Sequence, residues 1–339
     1  MTNRDPVLGV DYVTTADLAA YDLRKWSDVL GVALFCAQDA PFQAEAVPVA
    51  RIMARPLREE SAVCEVWRSS GPFREGRLGR VQYRANEHFA FGCISLPESP
   101  TLQEATEQAY ADVFRCVAAL NFPYVLRIWN YLPEINRTTE GLERYRQFNA
   151  ARHRAFERFH QETRGNVPAA CALGSLPGGT LVIYFLAGAQ RGDAIENPRQ
   201  MSAYDYPPIY GAFSPKFSRA TLANNSTHPT LFISGTASIV GHHTMHVGDV
   251  LAQTRETVSN IRALVDAANR TADDELFAPE QLQYKVYLRY PGDLDRVSRE
   301  LEETMPHATP IVYLQADVCR ADLLVEIEAV GCTAPSRPH

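Results

Sequence analysis

The chain repeats one succession of predicted elements, and this internal repeat constrains its fold more than any other feature. The first copy contains HFAFGCISLPE, TLQEATEQAYADVFRCVAALN and YVLRIWNYLPEI, and the second contains PTLFISGTASIVGH, DVLAQTRETVSNIRALVDAAN and QYKVYLRYPGDL. In each copy the middle segment carries apolar residues at helical spacing and the outer two are β-rich, which predicts strand, helix, strand. A second helical segment and two further strand-like runs follow in both copies. The order β-α-β-α-β-β therefore occurs twice and predicts two related α+β domains.

The repeat also suggests domain boundaries within the 339 residues. We predict a central domain at residues 86–228 and a C-terminal domain at residues 229–339. Residues 1–85 contain strand-like runs but no clear pair of helices, so we expect a smaller, degenerate third unit there. Residues 189–228 are rich in Pro, Tyr and Asn and are too long for a simple connection. We expect this stretch to be an ordered loop that carries function.

Charge and composition limit the partners and the compartment. The formal net charge is −7, so the chain lacks the broad basic field that nucleic acids and anionic membranes select. No apolar run reaches the roughly 18 residues of a membrane span, and the first residues lack the charged-then-apolar pattern of a signal peptide. The seven cysteines are odd in number and show no CxxC spacing. We therefore expect a cytoplasmic protein with reduced thiols that binds neither nucleic acid nor membrane.

Two carboxylates lie close together in the predicted C-terminal strand DLLVEIEAV. Alternation places Glu326 and Glu328 on one face of this apolar strand. If that face is buried, desolvation and like charge raise a carboxyl pKa, and one of the two can stay protonated near neutrality and act as a general acid. An edge strand whose glutamates simply face water is the alternative, and alternation alone favours it.

Polar groups near the repeats point to a small anionic ligand. The segment RIWNYLPEINRTTEGLERYRQF at 127–148 has more hydrogen-bonding capacity than an ordinary connection needs. Gly235 ends a predicted strand, where glycine permits close approach of a ligand to the backbone or marks a bulge. Arginine binds carboxylates with two hydrogen bonds, so a dianionic substrate would suit the cations of these segments. Those cations are Arg127, Arg152, Arg219, Lys285 and Arg289.

Motifs for metal and nucleotide cofactors are weak or missing. His242, His243 and His246 form an H-H-x-x-H loop, but carboxylate or thiolate ligands that would complete a metal site are not evident beside them. The sequence has no G-x-G-x-x-G or Walker pattern. Cys319 has no activating histidine nearby and is not predicted to be a nucleophile. We therefore expect no metal and no cofactor.

Motifs spread over residues 127–328 resemble those of the chorismatases. They occur in the order RIWNYLPEIN, GL-x-x-YR-x-F, IENP, YP-x-x-YG, P-x-F-x-RA, S-G-T-A, GH-x-T-x-H-x-GDV and R-x-DLLVEIE. The last hundred residues are also similar to the RidA/YjgF family of small trimeric proteins. These resemblances imply a monomer of three tandem α+β domains of RidA/YjgF-like fold with pseudo-threefold symmetry. They also imply an active site between the central and C-terminal domains.

The resemblance further implies roles for individual residues. Glu326 would be the acid that protonates the enolpyruvyl methylene of chorismate. Gly235 and Cys319 match the members that form 3-hydroxybenzoate, whereas hydrolytic members resemble S-A-T-A and have Ala in place of this cysteine. The residues on family motifs that would hold the carboxylates and hydroxyls of the substrate are Tyr131, Arg152, Tyr206, Tyr210 and Arg219, and Ala237 is expected to belong to the substrate-binding site as well.

The function implied is conversion of chorismate to 3-hydroxybenzoate with release of pyruvate, for secondary metabolism. Two alternatives stay within the family: a hydrolytic enzyme that forms a dihydroxycyclohexadiene carboxylate, and a mixed 3-/4-hydroxybenzoate synthase. A deaminase of RidA type is a third, although the strand PIVYLQAD lacks the arginine that grips a carboxylate in those proteins. A non-catalytic ligand-binding protein on the same fold is a fourth.

Overall fold

The N-terminal part of the chain forms a small sheet of four strands. The structure is a computed structural model that describes residues 8–15, 23–38, 47–59, 62–98, 100–224, 228–305 and 311–333. The strands of this part are β1 (Leu8–Thr14), β2 (Val29–Cys36), β3 (Val49–Met53), β4 (Arg55–Pro56) and β5 (Val63–Ser69). The sheet order is β1-β5-β2-β3, with β2 and β3 parallel and the other neighbours antiparallel. A 3-10 helix at Leu23–Asp28 leads into β2, which is buried at every position.

The central part forms a second sheet with two helices packed on it. Its elements are β6 (Arg74–Leu78), β7 (Val81–Ala85), β8 (Phe89–Leu96), α1 (Leu102–Leu120), β9 (Tyr124–Pro133), β10 (Thr138–Thr139), β11 (Leu142–Glu143), α2 (Arg144–Arg158), β12 (Ala169–Ser175) and β13 (Leu181–Gly188). Helix α1 begins after Thr101, whose hydroxyl accepts a hydrogen bond from the Glu104 amide at 3.2 Å. It ends at Asn121, which takes the left-handed conformation with φ 62°. The strands run in the order β12-β9-β13-β8-β7-β6.

The C-terminal part forms the third sheet, also with two helices. Its elements are β14 (Asp193–Ile195), β15 (Ala220–Ala223), β16 (Thr230–Ala237), β17 (Ile239–Val240), β18 (His243–Thr244), α3 (Val250–Ala272), β19 (Gln283–Leu288), α4 (Leu294–Thr304), β20 (Val312–Gln315), β21 (Asp317–Val318) and β22 (Val325–Cys332). The strands run in the order β14-β15-β16-β22-β19-β20. Among the α-helices that the structure describes, none combines the length and the apolar character needed to cross a membrane.

One order of four strands occurs in all three sheets. In the central sheet it is β8-β13-β9-β12, in the C-terminal sheet β16-β22-β19-β20, and in the N-terminal sheet β1-β5-β2-β3. When the four strands are numbered in chain order, the first lies beside the fourth in each sheet, and the second is parallel to the third. The predicted α+β class and the predicted repeat are therefore confirmed. The N-terminal sheet, within its described residues, has no α-helix like those of the other two.

The sheets divide the chain at points other than the predicted boundaries. Strands β6 and β7 fall within residues 1–85 but belong to the central sheet, and β14 and β15 fall within 86–228 but belong to the C-terminal sheet. Two short strands also cross over: β4 pairs with β20, and β21 pairs with β12. A pairing of two residues leaves no periodic signal, so these exchanges were beyond prediction from the sequence. The division into three domains stays a prediction.

Aromatic rings from all three parts meet in the middle of the molecule. Trp129 of β9 stacks on Tyr184 of β13 with ring centroids 4.5 Å apart, and Trp67 of β5 lies 5.5 Å from Trp129. Tyr287 of β19 packs beside Tyr131 of β9 at 6.4 Å. All five side chains are buried in a single apolar cluster. This shared core fixes the three sheets relative to one another and positions the strand that carries Glu326.

Candidate active site

A cavity of about 250 Å³ lies between the central and C-terminal parts of the chain. Its walls come from the start of α2, from the loop that precedes β15, from the end of β16 and from the turn that leads into β22. Seven of the nine predicted site residues line it, namely Tyr206, Tyr210, Arg219, Gly235, Ala237, Cys319 and Glu326. The cavity therefore lies where the sequence resemblance located the active site.

Glu326 is a buried carboxyl group on β22. Its side chain is 3% exposed, as is that of Glu328, so the alternative of two glutamates that face water is wrong. Burial raises the pKa of Glu326 to about 8, and the charge of Glu328 adds to the effect. Glu326 is consequently protonated near neutrality while it faces the cavity. It has the properties of a general acid.

Glu328 is the ionised member of the pair. Burial alone would raise the pKa of Glu328, but the charges of Lys285 and Arg127 bring it below its ordinary value. The carboxylate lies 2.6 Å from Lys285 Nζ and 2.6 Å from Arg127 Nη2. Tyr287 donates a further hydrogen bond to it at 2.9 Å. The two carboxyl groups of one strand are thus held in opposite protonation states by their surroundings.

Gly235 makes room for the carboxyl group of Glu326. The pairing of β16 with β22 shifts register between Ile233 and Thr236, which is the bulge that the glycine permitted. A Cβ atom built on Gly235 would lie 1.9 Å from Oε1 of Glu326, so no other residue fits unless the carboxyl group moves. The sequence predicted close approach to this backbone, and the group that approaches is Glu326 itself. Ala237, two residues on, pairs directly with Glu326 across the strands.

Cys319 lines the same cavity as a neutral thiol. Burial, with added repulsion from Glu326, raises the pKa of Cys319 to about 12. A thiol with this pKa is a poor nucleophile at neutral pH. Its contribution to the site is therefore the size and polarisability of its sulfur atom.

The loop before β15 builds a cationic and aromatic wall. The predicted loop contains β14, β15 and two 3-10 helices, at Ala203–Asp205 and Pro208–Tyr210, and its residues 225–227 lie outside the described ranges. Arg219 Nη2 donates to the Met201 carbonyl at 2.7 Å and to the Tyr206 hydroxyl at 2.8 Å. The Nε of Arg219 is buried and has no hydrogen-bond partner among the described residues. Arg219 therefore keeps a donor available for a ligand.

Arg320 completes this wall, although no role was predicted for it. Its guanidinium lies 4.0 Å from the centroid of the Tyr210 ring and 5.1 Å from that of Tyr206. Its Nη1 donates to the His242 carbonyl at 2.9 Å, and the Tyr210 hydroxyl donates to the same carbonyl at 2.6 Å. Within the described chain its Nη2 is buried without a partner. Its place in the motif R-x-DLLVEIE was the available signal.

Tyr131 and Arg152 do not line the cavity. Tyr131 is completely buried, and its hydroxyl lies 2.7 Å from that of Tyr287; its contact with a substrate stays a prediction. Arg152 is 2% exposed and donates to Asn149 Oδ1 at 2.8 Å. Its Nε has no partner in the described residues, and its contact with a substrate stays a prediction.

The remaining predicted cations have partners within the protein. Lys285 and Arg127 are committed to Glu328, and Arg289 to Asp317 at 2.6 Å and to backbone carbonyls. Of the five cations that the sequence associated with a dianion, only Arg219 lines the cavity. Alternation along a strand predicts which face a cation occupies but gives no information about partners that lie far away in the sequence.

The three histidines of the H-H-x-x-H loop are spread over different contacts. The rings of His242 and His243 lie 3.9 Å apart, and His242 Nδ1 is 3.2 Å from the Tyr210 hydroxyl. His246 instead pairs with Glu256 at 3.4 Å. In the described ranges no group of three or more His, Cys, Asp or Glu side chains is arranged to hold a metal ion.

Known proteins resemble this chain over most of its length. The family described as "Chorismatase FkbO/Hyg5-like, N-terminal" matches residues 65–187. A 3-hydroxybenzoate synthase of Streptomyces hygroscopicus is 37% identical over 288 residues, which cover 82% of this chain and 83% of the relative. A chorismatase of Streptomyces rapamycinicus is 35% identical over 285 residues, which cover 80% and 83%. A crystal structure of a chorismatase at 1.08 Å resolution is 29% identical, matches with a TM-score of 0.90 and covers 97% of this chain and 100% of its own. The chain therefore belongs to the chorismatase family.

Proposed function

We propose that this chain is a 3-hydroxybenzoate synthase, which converts chorismate to 3-hydroxybenzoate and pyruvate. The observation that carries the proposal is the protonated carboxyl group of Glu326, which is buried in a cavity walled by Arg219 and Arg320. A neutral acid beside guanidinium groups suits a substrate that has two carboxylates and an acid-labile enol ether. Gly235 and Cys319, which match the members that form 3-hydroxybenzoate, line the same cavity. The relative named 3-hydroxybenzoate synthase adds support.

The reaction needs one proton transfer and groups that the substrate already carries. Glu326 donates its proton to the methylene carbon of the enolpyruvyl ether, which makes that ether a leaving group. The hydroxyl on C4 attacks C3 and displaces pyruvate, and the resulting arene-oxide-like intermediate opens and aromatises. The proton lost from the ring returns to Glu326. Chorismate contains the atoms of hydroxybenzoate plus pyruvate, so no water is consumed and the reaction is a lyase reaction.

The cavity residues supply binding and orientation. Arg219 and Arg320 each keep a buried N–H that is free in the described structure, and we assign them to the two carboxylates. The ring and hydroxyl of Tyr206 hold Arg219 in place, and the ring of Tyr210 holds Arg320. The monomeric state and the cytoplasmic location stay predictions.

Incubation with chorismate tests the proposed function directly. We expect pyruvate and 3-hydroxybenzoate in equal amounts, identified by NMR and by mass, and the same yield after extensive dialysis against EDTA. A product one water heavier than hydroxybenzoate would identify the hydrolytic alternative, and 4-hydroxybenzoate the mixed one. Ammonia from enamine substrates without turnover of chorismate would instead support a deaminase. Binding of chorismate without any product would support a non-catalytic protein.

The raised pKa of Glu326 predicts a pH dependence. Because only the protonated acid can donate, kcat/KM for chorismate should stay level near neutrality and fall as the pH rises through about 8. The measurement is kcat/KM between about pH 6 and about pH 10, with folding checked at each pH by circular dichroism. A kcat/KM that falls with rising pH from about pH 6 onward, with no level region near neutrality, would contradict the assignment, because a glutamic acid with the ordinary pKa of about 4.3 is ionised over the whole range.

A further inference from the structure

A network of four charged side chains lies buried where the three sheets meet. Lys285 contacts both Glu65 and Glu328, and Arg127 contacts Glu328 at 2.6 Å. Each of the four is no more than 3% exposed. Two carboxylates face one ammonium and one guanidinium, so the formal charges of the network sum to zero. Burial of such a network carries a large desolvation cost, so the network need not stabilise the fold. This suggests that it has another role.

Glu65 is the contribution of the N-terminal part to this network. Besides Lys285, three donors point at its carboxylate: Trp67 Nε1 at 2.7 Å, the Tyr184 hydroxyl at 3.1 Å and the Tyr12 hydroxyl at 3.5 Å. Because all four neighbours are donors, the side chain of Glu65 acts only as an acceptor, as an ionised carboxylate does. Glu328 is surrounded in the same manner, by Lys285, Arg127, Tyr287 and Trp129.

The network is connected to Glu326 through two paired strands. Glu326 and Glu328 lie two residues apart on β22, and therefore on one face. On β19 Tyr287 is directly opposite Glu326, and Lys285 is directly opposite Glu328. The hydroxyl of Tyr287 reaches back to the carboxylate of Glu328 at 2.9 Å. The face that carries the acid is thus continuous with the face that carries the network.

We propose that Glu65, Lys285, Glu328 and Arg127 form a positioning network whose balanced charge keeps Glu326 protonated, with Glu65 as the part supplied by the N-terminal sheet. The proposal rests on the role of Glu326 in the proposed function. Without the two cations, a buried Glu328 would take up a proton and would no longer repel a charge on Glu326. With the cations but without Glu65, the network would carry an excess positive charge and would favour ionised Glu326. Glu65 therefore balances the cations that hold Glu328 ionised.

Other groups also face Glu326 and set the reference against which the network acts. Glu328, Arg127 and Arg219 change the pKa of Glu326. Glu326 in turn raises the pKa values of Cys171, Cys319 and Tyr145. Among them Arg127 and Arg219 lower the pKa of Glu326, whereas burial and Glu328 raise it. Glu328 is the network member whose negative charge raises the pKa of Glu326 directly, and Glu65 is linked to Glu328 through their shared partner Lys285. We therefore expect removal of either negative charge to lower the pKa of Glu326. The protonated fraction at neutral pH then decreases.

The test is the pH profile of Glu65→Gln, a change that keeps the shape and removes the charge. We expect the fall of kcat/KM with rising pH to move down by about half a unit or more. Trp67→Phe is the matched control, because it removes a 2.7 Å hydrogen bond to Glu65 but no charge, and its midpoint should equal that of the parent. A merely structural role for Glu65 would lower the amount of active enzyme at every pH and leave the midpoint in place.

A second readout separates this proposal from the proposed function. The protonated carboxyl band of Glu326 can be followed by infrared difference spectroscopy against Glu326→Gln, in ligand-free protein and without turnover. Its titration should show the same downward shift in Glu65→Gln even if chorismate proves not to be the substrate. If Glu65→Gln fails to fold, Glu328→Gln removes one negative charge from the same network and must shift the midpoint in the same direction. An unchanged midpoint in the folded variant would overturn the proposal.

Discussion

Glu326→Gln is expected to lower kcat for chorismate by about 10²–10⁴-fold, the usual range for loss of a general acid. Glutamine has nearly the same shape and fits the same buried site, but its amide has no proton to transfer. Because the substitution leaves the proposed carboxylate-binding groups Arg219 and Arg320 in place, KM should change much less than kcat. The measurement is the initial rate of pyruvate release at saturating chorismate.

Glu300→Gln is the matched control for this prediction. Glu300 is also a buried carboxylate, on α4, but it pairs with Arg255 at 2.6 Å and does not line the cavity. The same substitution there tests for general damage to the fold, and kcat should stay within a few-fold of the parent. Turnover by Glu326→Gln at the parent rate would show that another group donates the proton.

Features repeated along the chain were predictable, because periodicity reports elements and their order. The two copies of β-α-β-α-β-β, the strand that carries Glu326 and the ordered loop before β15 all follow from local patterns. The third occurrence of the strand order, in the N-terminal sheet, was only partly visible because residues 1–85 carry no clear pair of helical patterns in the sequence. The exchanges of β4 and β21 depend on pairings of two residues between distant parts.

Within the site, local pattern predicted the unusual carboxylates but not their partners. Arg127 and Glu328 are 201 residues apart in sequence, and Lys285 and Glu65 belong to different sheets. For this reason, a cation on a predicted strand can be assigned wrongly to a ligand although it already pairs with a buried acid. The hydroxyl of Tyr131 likewise has a partner, Tyr287, that lies 156 residues away in the sequence. Arg320 was missed for the opposite reason, since nothing around it in the sequence marks the aromatic rings on which it rests.

The double variant Gly235→Ala/Cys319→Ala is expected to shift the product from 3-hydroxybenzoate towards the water-added dihydrodiol. A methyl group at position 235 would lie 1.9 Å from the present position of Glu326 Oε1. The carboxyl group is the end of a flexible side chain, so it should rotate away rather than disrupt the strand. Loss of the Cys319 sulfur opens space in the same cavity. Together, the two changes are expected to move the proton donor and to admit water next to the enol ether.

The two outcomes are distinguished by oxygen-18 water. Hydrolysis adds water at the enol-ether carbon, so newly formed pyruvate should carry the label, whereas attack by the C4 hydroxyl leaves pyruvate unlabelled. Rapid reduction to lactate by lactate dehydrogenase traps the label before the ketone exchanges with water. The single variants serve as controls: Gly235→Ala alone moves the acid without the added space, and Cys319→Ala alone adds space without moving the acid. If the double variant still forms only 3-hydroxybenzoate and unlabelled lactate, then the position of Glu326 against residue 235 does not decide between the C4 hydroxyl and water.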